Sequence, residues 1–167
     1  MKLTTPDSIS RYSGFGVSAS RLGYPDAGIL TLSEMEDTAK SVIRATGGKI
    51  PVIVDGDTGY GGAVNIRRTV RGLASVGAAA VTIEDQVFPK CCTYAAGTGV
   101  RVISRNASQA RVRTAIAARE EARDIDGRDI LSEWKNLKSS LFTFIFSCHE
   151  IQYFTLCSYY VTSHCTD

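Results

Sequence analysis

At 167 residues and a formal net charge of +2, the chain has the size of one ordinary domain with a real core. Its charge creates no strong field that would argue for nucleic acid or a membrane surface as partner. Five cysteines, an odd number with two adjacent, do not make a secreted disulfide framework and point to a reducing compartment.

Composition divides the chain. Residues 1–130 hold all 15 glycines, whereas residues 131–167 hold no glycine, no alanine and most of the aromatic side chains. The expected organisation is one α/β unit over 1–130 and an unrelated, poorly ordered tail over 131–167. The opening run from Met1 to Asp7 lacks the apolar core of a signal peptide. The expected location is therefore cytoplasmic, or organellar if a transit peptide has been lost.

In chain order, Arg11-Tyr12-Ser13-Gly14-Phe15-Gly16-Val17-Ser18-Ala19-Ser20 reads as a strand entering a small-residue loop. Such a loop suits a bound carboxylate or phosphate, and equally a plain connecting turn. In the next loop Asp26 faces either the same mouth or water. Ser33-Glu34-Met35-Glu36 reads as a capping box with Ser33 as N-cap. The helix it opens aligns Met35, Ala39, Val42 and Ile43, and Gly47-Gly48 ends it.

The chain is organised around Ile50-Pro51-Val52-Ile53-Val54-Asp55-Gly56-Asp57-Thr58-Gly59-Tyr60-Gly61-Gly62. The apolar β-branched run predicts a strand buried on both faces, as in a parallel sheet. In such sheets ligands sit beyond the carboxyl ends of the strands. Asp55 and Asp57, two residues apart, leave an extended chain on one face. Two carboxylates held together call for a proton or a cation, and Mg²⁺ suits one or two carboxylates with several waters retained. A polar turn after a strand is the plainer alternative. A phosphate loop is excluded because Gly-Lys-Ser/Thr is missing. An EF-hand is excluded because Tyr60 and Ile66 stand where Gly and Glu are needed.

Asn65 to Val76 predicts a second helix with Ile66, Val70 and Leu73 inward and Arg67, Arg68 and Arg71 on a solvated face. Ala78 to Ile83 predicts the next buried strand, ending in Glu84-Asp85-Gln86. The alternation argues for a parallel α/β fold. The loop Val87 to Gly99 carries Lys90, Cys91 and Cys92. A thiol beside a cation acts as acid or nucleophile, although free cysteines are more often inert core residues. Asn106-Ala107-Ser108-Gln109 reads as the cap of a third helix to about Arg123, with Ala110, the Arg113 stem, Ile116 and Ala117 inward. A further strand should follow Ile130, but the polar run Leu131 to Lys138 does not read as one. Leu141 to Phe146 is a β-prone, charge-free window. Residues 141–163 are long enough to span a bilayer, but His149, Glu150 and Gln152 argue against it. The cysteines and histidines of the tail lack zinc spacing.

Taken in order, Ser-Gly-Phe-Gly-Val-Ser-Ala-Ser (13–20), Gly-Tyr-Pro-Asp (23–26), Asp-Gly-Asp-Thr-Gly-Tyr-Gly (55–61), Arg-Arg-Thr-Val (67–70), Gly-Ala-Ala-Ala (77–80) and Ile-Glu-Asp-Gln with Pro-Lys-Cys-Cys (83–92) resemble the isocitrate lyase/phosphoenolpyruvate mutase superfamily. The resemblance covers roughly residues 11–130. It implies a partial (β/α)8 TIM-type barrel, about half of it present. The family's first strand has no counterpart, nor do its fifth strand, with an Ala-Arg-Thr-Asp run, and the strands beyond. It also implies Mg²⁺ as cofactor, a small carboxylic acid as substrate, no nucleic acid or membrane partner, and homo-oligomeric full-length relatives.

Carried over by match, Asp55 ligates the metal, Asp57 and Glu84 hold it in part through its waters, and Asp26 organises that shell. Ser13, Gly14, Phe15 and Asp55 bind the substrate's carboxylate and oxo group. The loop 87–99 resembles the family's active-site lid, in which Cys92 is the catalytic acid and Lys90 favours its thiolate. Thr93 and Tyr94 replace the family's Gly-His. The implied activity is Mg²⁺-dependent carbon–carbon lysis of a 2-hydroxy or 2-oxo di- or tricarboxylic acid through an enolate, of the isocitrate or methylisocitrate lyase kind, impaired by truncation. The alternatives are a non-catalytic fragment that associates with barrel partners, or a phosphonate mutase or oxaloacetate hydrolase.

Overall fold

A computed structural model describes residues 9–92 and 99–135. Strand β1 (Ser10–Tyr12) runs into a short helix α1 (Gly14–Val17), continued by one wider helical turn over Ser18–Leu22. Helix α2 (Leu32–Ala45), strand β2 (Val52–Asp55), helix α3 (Ala63–Ser75), strand β3 (Ala80–Glu84), helix α4 (Arg105–Asp124) and strand β4 (Leu131–Lys135) follow. The strands form one sheet in the order β1-β2-β3-β4, every pair parallel.

Side chains alternate across the strands. Val52, Val54, Val81, Ile83 and Ile130 point toward the helices and bury against Met35, Ala39, Ile66, Val70, Leu73, Ala115, Ala118 and Ala122. The opposite face of the sheet carries Arg11, Asp55, Thr82, Glu84 and Glu133. Ile53, Ala80 and Leu131 share that face, so it mixes apolar and polar side chains, and acids are delivered to the C-terminal strand ends. Among the described residues no helix is long and apolar enough to cross a membrane.

Five local expectations are corrected. The capping box of α2 is Thr31 with Glu34: the Glu34 amide donates to Thr31 Oγ1 at 3.3 Å, and the Thr31 amide donates to Glu34 Oε2 at 2.8 Å. Starting two residues before the Ser33–Glu36 pair brings Leu32 into the helix, three residues before Met35 on the buried stripe. Residues 14–22, expected as a loop, are helical.

Helix α4 is capped by Ser104, whose Oγ accepts from the Ala107 amide at 3.3 Å. It buries Ala115, Ala118, Arg119 and Ala122 rather than the face of Ala110, Arg113 and Ala117. Small side chains at that spacing let α4 approach α3 closely. Finally, a strand does follow Ile130. β4 pairs with β3 from Ala80↔Leu131 to Glu84↔Lys135, so the unit extends past residue 130. The polar residue that argued against a strand has partners: Glu133 accepts from Thr82 Oγ1 and from Arg11 Nη2. The window from Leu141, the tail cysteines and histidines, Thr93 and Tyr94 lie outside the described residues.

Candidate active site

The site is built on the turn that leaves β2. Asp55 closes the strand, and its carboxylate is fixed by two backbone donors: Gly14 N to Oδ2 and Asp57 N to Oδ1, each at 3.0 Å. The turn is sewn to β3, because Gly56 N donates to Thr82 O and Glu84 N donates to Asp57 O, both at 2.8 Å. Gly56 is required by this closeness: a Cβ there would lie 2.7 Å from Val81 Cγ2 and 3.0 Å from Thr82 O. Gly59 is required by its φ of +88° and by Ile66, whose Cγ1 a Cβ would strike. Asp57 and Tyr60 also adopt left-handed backbone, at φ 50° and 58°. Such a conformation is tolerated by Asp but is an outlier for a bulky residue, and strain of this kind gathers at functional sites.

Three of the residues singled out in the sequence meet here. Lys90 Nζ lies 2.9 Å from Asp26 Oδ1 and also donates to Asp57 Oδ1. All three are buried. Asp55 stands beside them: a Cβ on Gly14 would be 3.4 Å from Asp57 Oδ1 and 3.5 Å from Asp55 Oδ2. Burial, and next the charge of Asp55, push the Asp57 carboxyl up to about 7 against the pull of Lys90. Burial pulls the Lys90 ammonium down, but Asp57 and Asp55 outweigh it and leave the group above its ordinary value. The geometry is that of an ammonium held by carboxylates. Burial, then Asp57 and Asp55, also push up the Tyr60 phenol, whose buried hydroxyl has no hydrogen-bond partner among the described residues.

Other expected residues stand apart from that trio. Glu84 is buried at the end of β3 and accepts from Gln86 Nε2 at 3.1 Å. Gln86 Oε1 in turn accepts from the Cys91 amide. Gly14 directs its N–H to Asp55, Ser13 is exposed, and Phe15 is 45% exposed. Cys92 is half-buried. Among the described residues no hydrogen bond or ion pair joins it to Lys90. Two residues were missed. Gln86 lay in the quoted strand-end run without a role, and Arg111, which donates to Glu84 O at 2.7 Å and Gln86 O at 3.2 Å, carries no local sequence signal.

The donor set is all oxygen, buried and acidic, and already holds one positive charge. It therefore fits a hard cation. Among the described residues no three carboxylate, histidine or cysteine side chains converge into a full ligand cage. Mg²⁺ needs no such cage, since one or two carboxylates and retained waters satisfy it.

The phosphoenolpyruvate phosphomutase family model matches residues 9–129. The chain is 42% identical over 107 residues to 2,3-dimethylmalate lyase of Eubacterium barkeri, a stretch covering 64% of this chain and 36% of that enzyme. Among solved structures, it is similar to oxaloacetate acetylhydrolase in complex with 3,3-difluorooxalacetate, with a TM-score of 0.69, 34% identity, and coverage of 75% of this chain and 40% of that one. It is also similar to phosphonopyruvate hydrolase in complex with oxalate and Mg²⁺, with a TM-score of 0.60, 32% identity, and coverage of 75% and 39%. The chain thus spans somewhat over a third of the length of these relatives. Its four-stranded parallel sheet is a partial (β/α)8 barrel.

Proposed function

Because the chain belongs to the phosphoenolpyruvate phosphomutase family, we propose that the acids at the ends of β2 and β3 are the cation-holding part of a carbon–carbon lyase site. The observation that carries this reading is the buried meeting of Asp57 and Asp26 around a positive charge, with Asp55 fixed beside them. Asp55 and Asp57 would hold Mg²⁺ directly or through its waters, with Asp26 and Glu84 orienting those waters. When bound, Mg²⁺ would supply Lewis-acid stabilisation of charge developing on a substrate oxygen.

The substrate class is a small 2-hydroxy di- or tricarboxylic acid. A base takes the hydroxyl proton and the C2–C3 bond breaks. C2 becomes the carbonyl of a 2-oxo acid, and the electron pair passes to C3 of the departing fragment as an enolate. That carbon then takes a proton, for which Cys92 is the proposed donor. Ser13, Gly14 and Phe15 would bind the substrate's carboxylate, Gly14 lying against Asp55 and Asp57.

Titration calorimetry with Mg²⁺ plus oxalate tests the site, oxalate standing in for the enolate. Saturable, Mg²⁺-dependent binding that is lost in Asp55→Ala is the expected result. No binding by a soluble, folded wild-type chain sinks the reading. A second reading is supported by Cys92, which among the described residues no hydrogen bond or ion pair joins to the Lys90 cluster: a chain that binds metal and oxalate without turnover. Binding without cleavage of any 2-hydroxy acid offered would select it.

A further inference from the structure

The segment Phe88–Cys92 is pinned at two successive residues, and each pin ends on an acid assigned above to the cation. The first pin is the side chain of Lys90, whose Nζ rests on Asp26 and Asp57. The second is the backbone of Cys91, which donates to Gln86 Oε1, while Gln86 Nε2 donates to Glu84 Oε1. Around these pins the segment packs on the loop before α2: a Cβ on Gly28 would lie 3.3 Å from the Phe88 ring and 3.6 Å from Lys90 Cβ. Cys92 follows directly and is half-buried, whereas Cys91 is exposed.

An ammonium and a divalent ion compete for these oxygens. Their charges have the same sign, the site is withdrawn from water, and repulsion there is poorly screened. Asp57 Oδ1 accepts from Lys90, so an ion that draws on that oxygen competes with the ammonium for it. Drawing Glu84 toward the metal shell likewise takes it from Gln86, and with it the orientation of the amide that holds Cys91.

We propose that Lys90 is an internal cation that a divalent metal must expel, so that metal occupancy frees the Phe88–Cys92 segment and uncovers the Cys92 thiol. This rests on the metal reading given above. The metal is then a ligand with differential affinity for two arrangements of one segment, which is what lets it shift their populations. Two consequences are measurable without turnover. Lys90 lowers the apparent affinity for Mg²⁺, because only the fraction of molecules with the lysine displaced can bind. Mg²⁺ also changes the reactivity of a cysteine that it does not touch.

The test uses the full chain with MgCl₂ alone. Calorimetry gives the Mg²⁺ Kd of the wild type, Lys90→Gln and Lys90→Arg. Alkylation by iodoacetamide, resolved to single residues by tandem mass spectrometry, gives the rate at Cys92. The expected results are a Kd at least about tenfold lower in Lys90→Gln, little change in Lys90→Arg, and Cys92 alkylation that Mg²⁺ accelerates severalfold in the wild type. In Lys90→Gln the alkylation should be fast with or without the metal. Equal Kd values for wild type and Lys90→Gln, or Cys92 labelling that Mg²⁺ leaves unchanged in the wild type, overturn the proposal alone. No Mg²⁺ binding by any of the three chains overturns both the proposal and the metal reading beneath it. If Lys90→Gln fails to fold by circular dichroism, the wild-type labelling response to Mg²⁺ decides by itself.

Discussion

Two clusters of opposite charges, one outside the helices and one at the strand ends, pair basic with acidic side chains to different effect. On the α3–α4 seam Arg67 meets Glu121 at 2.6 Å and Arg71 meets Asp126 at 2.8 Å, all within reach of solvent. At the strand ends Lys90 meets Asp26 and Asp57, with the side chain of Lys90 only 6% exposed. Outside, water and salt screen each charge, so the pairs register two packed helices without holding much free energy. Inside, every charge depends on its neighbours, because losing one leaves the rest uncompensated in a dry setting. The seam is tolerant and the mouth is coupled, which is the property a ligand-responsive site requires. Arg119 and Asp129 stand between the extremes, with a buried guanidinium and a carboxylate 50% exposed.

Removing one member from each cluster should grade with burial. Asp57→Ala leaves Lys90 its contact with Asp26 and the nearby charge of Asp55. It should cost about 3 kcal/mol by urea unfolding, the lower end for a broken buried pair because Asp26 remains, and molar salt should not hide the loss.

Asp129→Asn should cost about 1 kcal/mol, discounted for the exposure of the carboxylate. It also changes the acid limb. The hydrogen bonds from Arg119 hold the Asp129 carboxyl below its usual value. The stability it brings is therefore present above the unfolded carboxylate's pKa and is lost as pH falls through the folded value. Urea midpoints measured down through the carboxylate range should fall less steeply in Asp129→Asn than in the wild type; parallel curves would contradict this. Asp126→Ala on the seam should change the midpoint least, and any loss at low salt should vanish at molar salt. A seam variant as costly as Asp57→Ala would erase the contrast.

The parts legible in the sequence were those written in short-range pattern. β2 and β3 declared themselves as apolar runs, α3 by the spacing of Ile66, Val70 and Leu73, and the acid ends by Asp55, Asp57 and Glu84. The helix faces misread were those with little contrast. In α4, alanine occurs on several sides, so hydrophobic spacing does not choose between Ala110 or Ala117 and Ala115 or Ala118; the approach of α3 does. β4 was rejected on polarity, a fair criterion only where both faces of a strand are dry, and Glu133 has Thr82 and Arg11 waiting. The pairing of Lys90 with Asp57 spans 33 positions and leaves no local trace. The resemblance placed both residues in one site, but the contact between them is a product of the fold.

The bond between Arg11 and Glu133 has a geometric consequence. One residue belongs to the first strand and the other to the last, yet Nη2 and Oε1 are 2.7 Å apart. Laid flat, three strand spacings would separate their backbones by about 14 Å, with side chains standing roughly upright and apart. Their meeting makes the ion pair a chord drawn beneath an arc. A spectroscopic ruler across the sheet, from β1 to β4, should therefore lengthen when Glu133 is replaced by Ala: the curl of this sheet is held by a tie as well as by the hydrogen-bonded ladder.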